Sequence, residues 1–305
     1  MTLWITGMAG FIGQAVARAA VRRGQAVAGL DLGGSGPGIV VGGVDRAGLS
    51  RLLETSGPPS GIVHAAGSGS VGVSLERPGF DFDSNVATTQ NLCEFLRAKG
   101  IDAPLVLVSS AAVYGNGHAA AIGERASAAP LSPYGFNKYA AELIVRSYAG
   151  NFGQRATLVR LFSVYGEGLR KQILWDLCGR LARDGRATLS GDGSERRDFL
   201  HVEDAANALL LALDHAAASP PVLNAGTGTG TAMRALADAV CSAWQEACGR
   251  PATVAFSGVV RPGDPAALIA DVQQLKGLGF SPAIGLEDGL RRYMSWFAKA
   301  GATAA

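Results

Sequence analysis

At 305 residues the chain exceeds the usual size of one domain, so a large domain with a smaller one, or one domain with insertions, is expected around a sizeable core. A net charge of only +2, with 17% charged residues, argues against a nucleic-acid binder that works by counterion release. Cys93, Cys178, Cys241 and Cys248 form neither a CxxC pair nor a ligand cluster, so they read as buried reduced thiols of a cytoplasmic protein, and no metal is expected.

The chain enters Leu3-Trp4-Ile5-Thr6 without a basic leader, and no apolar stretch is long enough to span a bilayer, so neither targeting nor a membrane is expected. Short apolar runs follow in order: Leu3 to Thr6, Ala26 to Leu30, Ile39 to Val41, Ile62 to Ala65, Leu105 to Ser109 and Ala156 to Leu161. Helical patterns at Ile12 to Arg23, Val86 to Lys99 and Tyr134 to Ala149 separate them. Short apolar strands alternating with helices predict an α/β fold with a doubly wound parallel sheet covered on both faces. Beyond Gly166 the pattern is irregular, with a helix from about Ile173, a turn at Gly191-Asp192-Gly193 and a helix from Val202 to Asp214. A return to the sheet at Val222 to Asn224 makes the division interleaved: residues 1–166 with a return at about 200–230, and a smaller substrate-binding α/β unit mainly within 167–305.

Strand Leu3 to Thr6 leads through Gly7-Met8-Ala9-Gly10-Phe11-Ile12-Gly13 into a helix, a spacing that lets a tight turn and a helix N-terminus approach a pyrophosphate. The competing reading is a glycine turn made only for packing. Asp31 ends the second strand, where a carboxylate accepts from adenosine ribose hydroxyls, although it also suits a plain turn. No Arg or Lys follows through Gly38 to meet a 2′-phosphate, which favours NAD over NADP.

Ser132-Pro133-Tyr134-Gly135-Phe136-Asn137-Lys138 reads as a helix start, with Ser132 as N-cap and Pro133 in the first turn, so Tyr134 and Lys138 share a face. A phenol titrates near 10 and needs positive charge beside it to act as a general base near neutrality; a lysine one turn on supplies it. Ser109 and Ser110 close a central strand at its carboxyl end, where open α/β sheets bind ligands, with strand capping as the alternative for either.

TGMAGFIG at Thr6 to Gly13, HAAG at His64 to Gly67, Asn85-Val86 and the Tyr-x-x-x-Lys helix together resemble the extended short-chain dehydrogenases/reductases of the NAD-dependent epimerase/dehydratase family, in particular UDP-galactose 4-epimerases. The resemblance continues to Asp271 and implies a Rossmann domain. It implies NAD held by Gly7, Gly10, Phe11, Ile12, Gly13, Asp31, Ala65, Ala66, Gly67, Asn85, Tyr134 and Lys138. It gives Ser110 the reacting sugar oxygen, and it implies a homodimer joined by helices corresponding to Asn85 to Lys99 and Tyr134 to Ala149.

Departures from the family pattern matter. Gly42-Gly43-Val44 replaces Gly-Asp-Ile, so adenine loses a carboxylate partner and Asp45 is a poor substitute. Ala111 and Ala112 stand where 4,6-dehydratases carry two acids, so elimination loses its acid and base, and Glu124 lies in a loop of unknown placement.

Arg196-Arg197-Asp198 and Arg261-Pro262-Gly263-Asp264 match segments that approach the substrate's diphosphate and ribose in the epimerases. The arginine fork suits phosphate, with a surface arginine or an Arg197–Asp198 ion pair as alternatives. Lys171 and Gln172 precede the helix from Ile173, where relatives contact substrate phosphate or sugar, and Arg170 is a second candidate cation. His201 and His64 read as buried, hydrogen-bonded histidines. The expectation is an NAD-dependent nucleotide-sugar epimerase, at C4 of a UDP-hexose. A nucleotide 4-keto-6-deoxy-sugar reductase is the alternative, and a non-catalytic dinucleotide-binding regulator stands behind both.

Overall fold

The computed structural model describes residues 2–118, 120–259 and 265–302. Strands β1 (Thr2–Thr6), β2 (Ala26–Asp31), β3 (Ile39–Val41), β4 (Pro59–His64), β5 (Leu105–Ser110) and β6 (Ala156–Leu161) join Val222–Ala225 in one seven-stranded sheet. The order is Val222–Ala225, β6, β5, β4, β1, β2, β3, and every neighbouring pair is parallel. The winding reverses between β1 and β4, which opens a ligand crevice beyond their carboxyl ends.

Strands such as β6 are buried along their whole length because helices cover both faces. On one face helix α1 (Phe11–Arg22) packs with Val202–Leu213 through small residues, Ala15 and Ala19 in the same core as Ala205 and Ala208. On the other, helix α2 (Arg46–Ser56), Thr88–Lys99 and Pro133–Phe152 supply Leu49, Leu52, Leu92, Leu96 and Val145. Each such aliphatic side chain, fully buried, contributes about 1.5–3 kcal/mol.

A separate core, with Tyr165, Leu177, Leu236, Trp244 and Tyr293, lies among helices Gln172–Asp184, Met233–Cys248 and Leu286–Ala302. The parallel pair Arg186–Leu189 and Thr253–Phe256 borders it. Phe11 packs against both this core and the α1 side of the sheet.

Several elements differ from expectation for local reasons. The helix expected from Val86 is preceded by Val71–Glu76, Pro78–Phe82 and a π-turn at Asp83–Ala87. Ser84, Thr88 and Thr89 hydroxyls donate to carbonyls four residues back, which widens and bends this stretch. The Tyr-Lys helix runs from Pro133 to Phe152, a turn longer than expected, until Gly153 at φ 73° ends it. Asp45 is the N-cap of α2, accepting from Gly48 N at 2.8 Å, which accounts for its carboxylate without a ligand. Cys93 and Cys178 are buried as expected, whereas Cys241 and Cys248 are only half-buried, and none of the four forms a disulfide.

Candidate active site

β1 ends at Thr6 and the chain turns at Gly7, whose φ of 70° and close approach to the β4 loop both require glycine. A Cβ there would stand 2.8 Å from the Ala66 α-carbon, and one at Gly13 would overlap the Gly7 carbonyl. Gly10 caps α1 without a side chain, so among the described residues nothing on the protein accepts from the N–H groups of Phe11, Ile12 and Gly13. These orphan donors at the positive end of a helix form a cradle for a phosphate group. Asp31 borders it: its carboxylate accepts from Ala9 N at 2.9 Å and Gly33 N at 3.4 Å, fixing the turn against the end of β2. Glycine cradle, orphan donors and terminal carboxylate fit a dinucleotide.

A buried hydrogen-bond chain runs under this cradle. His64 is held neutral because burial, followed by the charge of Lys138, drops its pKa to about 3. The Thr89 hydroxyl donates to the Asn85 carbonyl at 2.6 Å, so it accepts from His64 Nε2 at 3.0 Å. Nδ1 therefore accepts from Thr6 Oγ1 at 2.6 Å, and Thr6 Oγ1 accepts from Ala66 N at 3.2 Å. With every donor and acceptor assigned, the chain ties the floor of the cradle to the π-turn carrying Asn85. The Asn85 side chain donates to Asp81 O at 3.0 Å while its own Oδ1 is buried without a partner. Gly67, at φ 152°, faces that oxygen and Lys138 Nζ, with no room for a Cβ.

Ser110, Tyr134 and Lys138 meet at the carboxyl end of β5. Ser132 caps the Pro133–Phe152 helix by accepting from Gly135 N at 3.2 Å, which sets Tyr134 and Lys138 on its inner face. Lys138 Nζ donates to Val108 O at 3.1 Å and lies 6.0 Å from the Tyr134 ring centre. Burial lowers the Lys138 pKa to about 8, while Asp81 and Glu142 oppose that and Lys171 adds to it. Burial pushes the Tyr134 phenol up, its hydrogen bond with Ser110 works the other way, and the Asp81 charge raises it further. Ser110 Oγ also accepts from Ala112 N at 3.2 Å, so it both caps the strand end and faces the phenol.

The frame behind these groups is ionic. Arg160 grips Glu142 through two bonds of 2.9 and 2.6 Å, and Ser109 donates to Glu142 at 2.6 Å, all buried. The Arg160 guanidinium lies 4.6 Å from the centre of the Tyr114 ring, whose hydroxyl donates to Asn224 Oδ1 at 2.7 Å. Ser109 is thus a framework residue, joining β5 and β6 to the Tyr-Lys helix. Glu124 accepts from Asn224 N at 3.1 Å and Gln274 Nε2 at 2.8 Å, which ties both oxygens to the framework.

On the opposite side, Lys171 Nζ reaches Gly69 O at 3.5 Å, while Gln172 stands at the start of its helix, exposed. Arg170 is engaged elsewhere, its guanidinium 5.7 and 5.5 Å from the ring centres of Trp175 and Trp296. Arg197 donates to Pro265 O at 2.7 Å and Arg196 O at 3.0 Å. The suggested Arg197–Asp198 ion pair does not form. Asp198 is fully buried and accepts from Thr227 N, Thr227 Oγ1, Gly228 N and Ala270 N, so its charge is satisfied by a turn. His201 contacts Glu167 at 2.9 Å and caps the following helix through Glu203 N. Arg261 and Asp264 lie outside the described residues.

Sequence reasoning missed Asp81 and Glu142. Asp81 is fully buried; Oδ2 accepts from Asn137 Nδ2 at 2.8 Å and Oδ1 has no partner. An acid in a short Pro-led helix gives no sequence signal of burial, whereas Glu142, one turn after Lys138 on the same inner face as Ala141 and Val145, breaks the apolar stripe and was detectable.

Residues 3–226 match the family model of the NAD dependent epimerase/dehydratase family. The chain is 31% identical to a UDP-glucose 4-epimerase of Corynebacterium glutamicum, over 92% of this chain and 91% of that protein. It is 26% identical to a UDP-glucuronate 4-epimerase of Thermodesulfobacterium geofontis, over 96% and 94%. Its structure superposes with a TM-score of 0.86 on MoeE5 in complex with UDP-glucose and NAD, at 29% identity over 98% and 99% of the two chains. With the glycine cradle and the Ser110, Tyr134 and Lys138 cluster already in place, the chain belongs to the NAD dependent epimerase/dehydratase family.

Proposed function

We propose that this protein is an NAD-dependent nucleotide-sugar epimerase acting at C4 of a UDP-hexosyl substrate. The observation that carries the reading is the meeting of Ser110, Tyr134 and Lys138 beside the cradle, with the small side chains of Ala111 and Ala112 next to them. The groups needed for proton transfer at an alcohol are present, and acids for elimination are absent at these two positions; Glu124 is committed to the framework.

NAD, held by Gly7, Gly10, Phe11, Ile12, Gly13, Asp31, Ala65, Ala66, Gly67 and Asn85, supplies reversible hydride acceptance. Tyr134 Oη takes the proton of the sugar hydroxyl and later returns one. Ser110 Oγ holds the same sugar oxygen, and Lys138 Nζ keeps the phenolate accessible through its charge. Arg197, Arg261 and Asp264 hold the diphosphate and ribose, with Lys171 and Gln172 at the phosphate or the sugar. Anchoring through the diphosphate leaves the oxidised sugar free to present its other face. The relatives' substrates and the MoeE5 complex support this assignment.

The protein is further proposed to work in the cytoplasm as a homodimer. The four free cysteines support the first. No helix among the described residues is long and apolar enough to cross a membrane. The dimer is supported by Phe136 and Leu143, two turns apart on one face and 58% and 49% exposed, with Phe82 49% exposed nearby in the chain fold.

The test is mass spectrometry of small molecules released from the purified protein, followed by incubation with UDP-glucose without added nicotinamide. Retained NAD and formation of UDP-galactose are expected; consumption of added NAD(P)H with a 4-keto sugar and no interconversion would replace this reading with the reductase.

A further inference from the structure

Residues 166–171 link strand Ser163–Tyr165 to helix Gln172–Asp184 and fold back on themselves through a bond from Leu169 N to Gly166 O at 3.2 Å. One side of this turn meets the cofactor cradle. A Cβ on Gly168 would stand 3.8 Å from the Phe11 ring, ordinary van der Waals distance, and that ring packs against the second core, to which Tyr165 and Leu169 belong. Phe11 opens α1, so the ring that touches the turn belongs to one of the three residues whose N–H groups are left for a phosphate. The other side of the turn reaches the loop after β4, where Lys171 Nζ lies 3.5 Å from Gly69 O. The turn therefore spans both loops of the dinucleotide site.

Two side chains from outside the cradle hold it there. The parallel pairing of Ser163–Tyr165 with Phe199–His201 ends with His201 beside Tyr165, which brings the imidazole against the start of the turn: a Cβ on Gly166 would lie 3.0 Å from His201 Nε2. His201 Nδ1 accepts from Glu203 N at 3.3 Å, so Nε2 carries the hydrogen and donates to Glu167 Oε2 at 2.9 Å. The ring is fully buried and the carboxylate is 35% exposed, so a fixed donor grips one residue of the turn. Tyr293, buried on helix Leu286–Ala302, donates its hydroxyl to Leu169 O at 2.8 Å. These anchors come from a strand and from the last helix, and they fix the turn without help from a ligand.

An epimerase of the proposed kind uses one cofactor molecule for both halves of its reaction, so it must hold that molecule throughout the cycle. We infer that Glu167 and Tyr293 are positioning residues for the cofactor: they keep turn 166–171 across the two loops, and the turn slows the departure of bound NAD. This rests on the dinucleotide site and the epimerase reading given above.

The test follows exchange of NAD bound to the holoenzyme against excess isotopically labelled NAD, by mass spectrometry, in the wild type, Glu167→Ala, Glu167→Gln and Tyr293→Phe, with melting temperatures measured alongside. Glu167→Ala and Tyr293→Phe should each speed exchange about 3- to 10-fold, the worth of one hydrogen bond. Glu167→Gln keeps an acceptor for His201 and should restore part of the wild-type rate. Lower melting temperatures with unchanged exchange would reduce both contacts to a structural role, and a higher KM for the nucleotide sugar with unchanged exchange would assign the turn to the substrate; either overturns the inference. Exchange is read without sugar turnover, so a wild type that holds NAD but interconverts no nucleotide sugar would overturn the epimerase reading alone.

Discussion

In the proposed reaction Lys138 must remain charged to assist Tyr134, yet burial brings its pKa to about 8. Turnover is therefore expected to fall as pH rises through about 8, when the ammonium loses its proton. Asp81, buried with one unpartnered oxygen, raises the pKa of both Lys138 and Tyr134. Asp81→Asn should move this fall to lower pH, and an unchanged profile would remove Asp81 from the site's electrostatics. The sign for stability runs the other way from an ordinary ion pair. The folded pKa of Lys138 lies below its ordinary 10.5, so its charged form opposes folding below about 8, and that cost is relieved between about 8 and 10.5. Tyr134, Lys138 and Ser110 were readable from the sequence because spacing on one helix and position at a strand end define them. Asp81 was not, because its role depends on a fold that brings Pro78–Phe82 against the Tyr-Lys helix.

The junction of β5, β6 and the Pro133–Phe152 helix depends on Ser109, Glu142 and Arg160. Replacing Glu142 leaves a guanidinium buried at about 5% exposure with no counter-charge, a loss of about 3–5 kcal/mol. Glu142→Gln should lower the urea midpoint accordingly, whereas Ser109→Ala, which deletes one hydrogen bond, should cost about 1 kcal/mol. Equal, small effects would show that the pair adds little to the junction. The strands of this region were legible because buried parallel strands are continuous apolar runs: β6 matches its expected bounds and β5 runs one residue further, to Ser110. α2 was not, since its sequence RAGLSRLLETS has a weak apolar stripe and its start depends on a single cap, Asp45. The π-turn at Asp83–Ala87 was also hidden, because side-chain hydroxyl bonds to the backbone, rather than hydrophobic period, shape it.

Across the whole molecule, the sheet places the glycine cradle at the end of β1 and the Ser110, Tyr134 and Lys138 cluster at the end of β5, with β4 between them. The short strands of the second core, two to four residues each, lack any periodic signature and were not predictable, whereas the helices expected from about Ile173 and over Val202 to Asp214 lie at Gln172–Asp184 and Val202–Leu213. The apolar face through Phe136 and Leu143 should be covered in solution. Light scattering is expected to give twice the chain mass, and Phe136→Glu with Leu143→Glu to give the monomer; a wild-type monomer would contradict the proposed dimer.

The proposed epimerase removes and restores hydrogen at the same sugar carbon without a net change of redox state. The most direct measurement supplies UDP-glucose deuterated at C4, without added nicotinamide, and follows the product by NMR. UDP-galactose is expected that keeps its deuterium at C4 and takes no hydrogen there from solvent. Loss of that deuterium to water, or no product until a reduced nicotinamide is added, would contradict it.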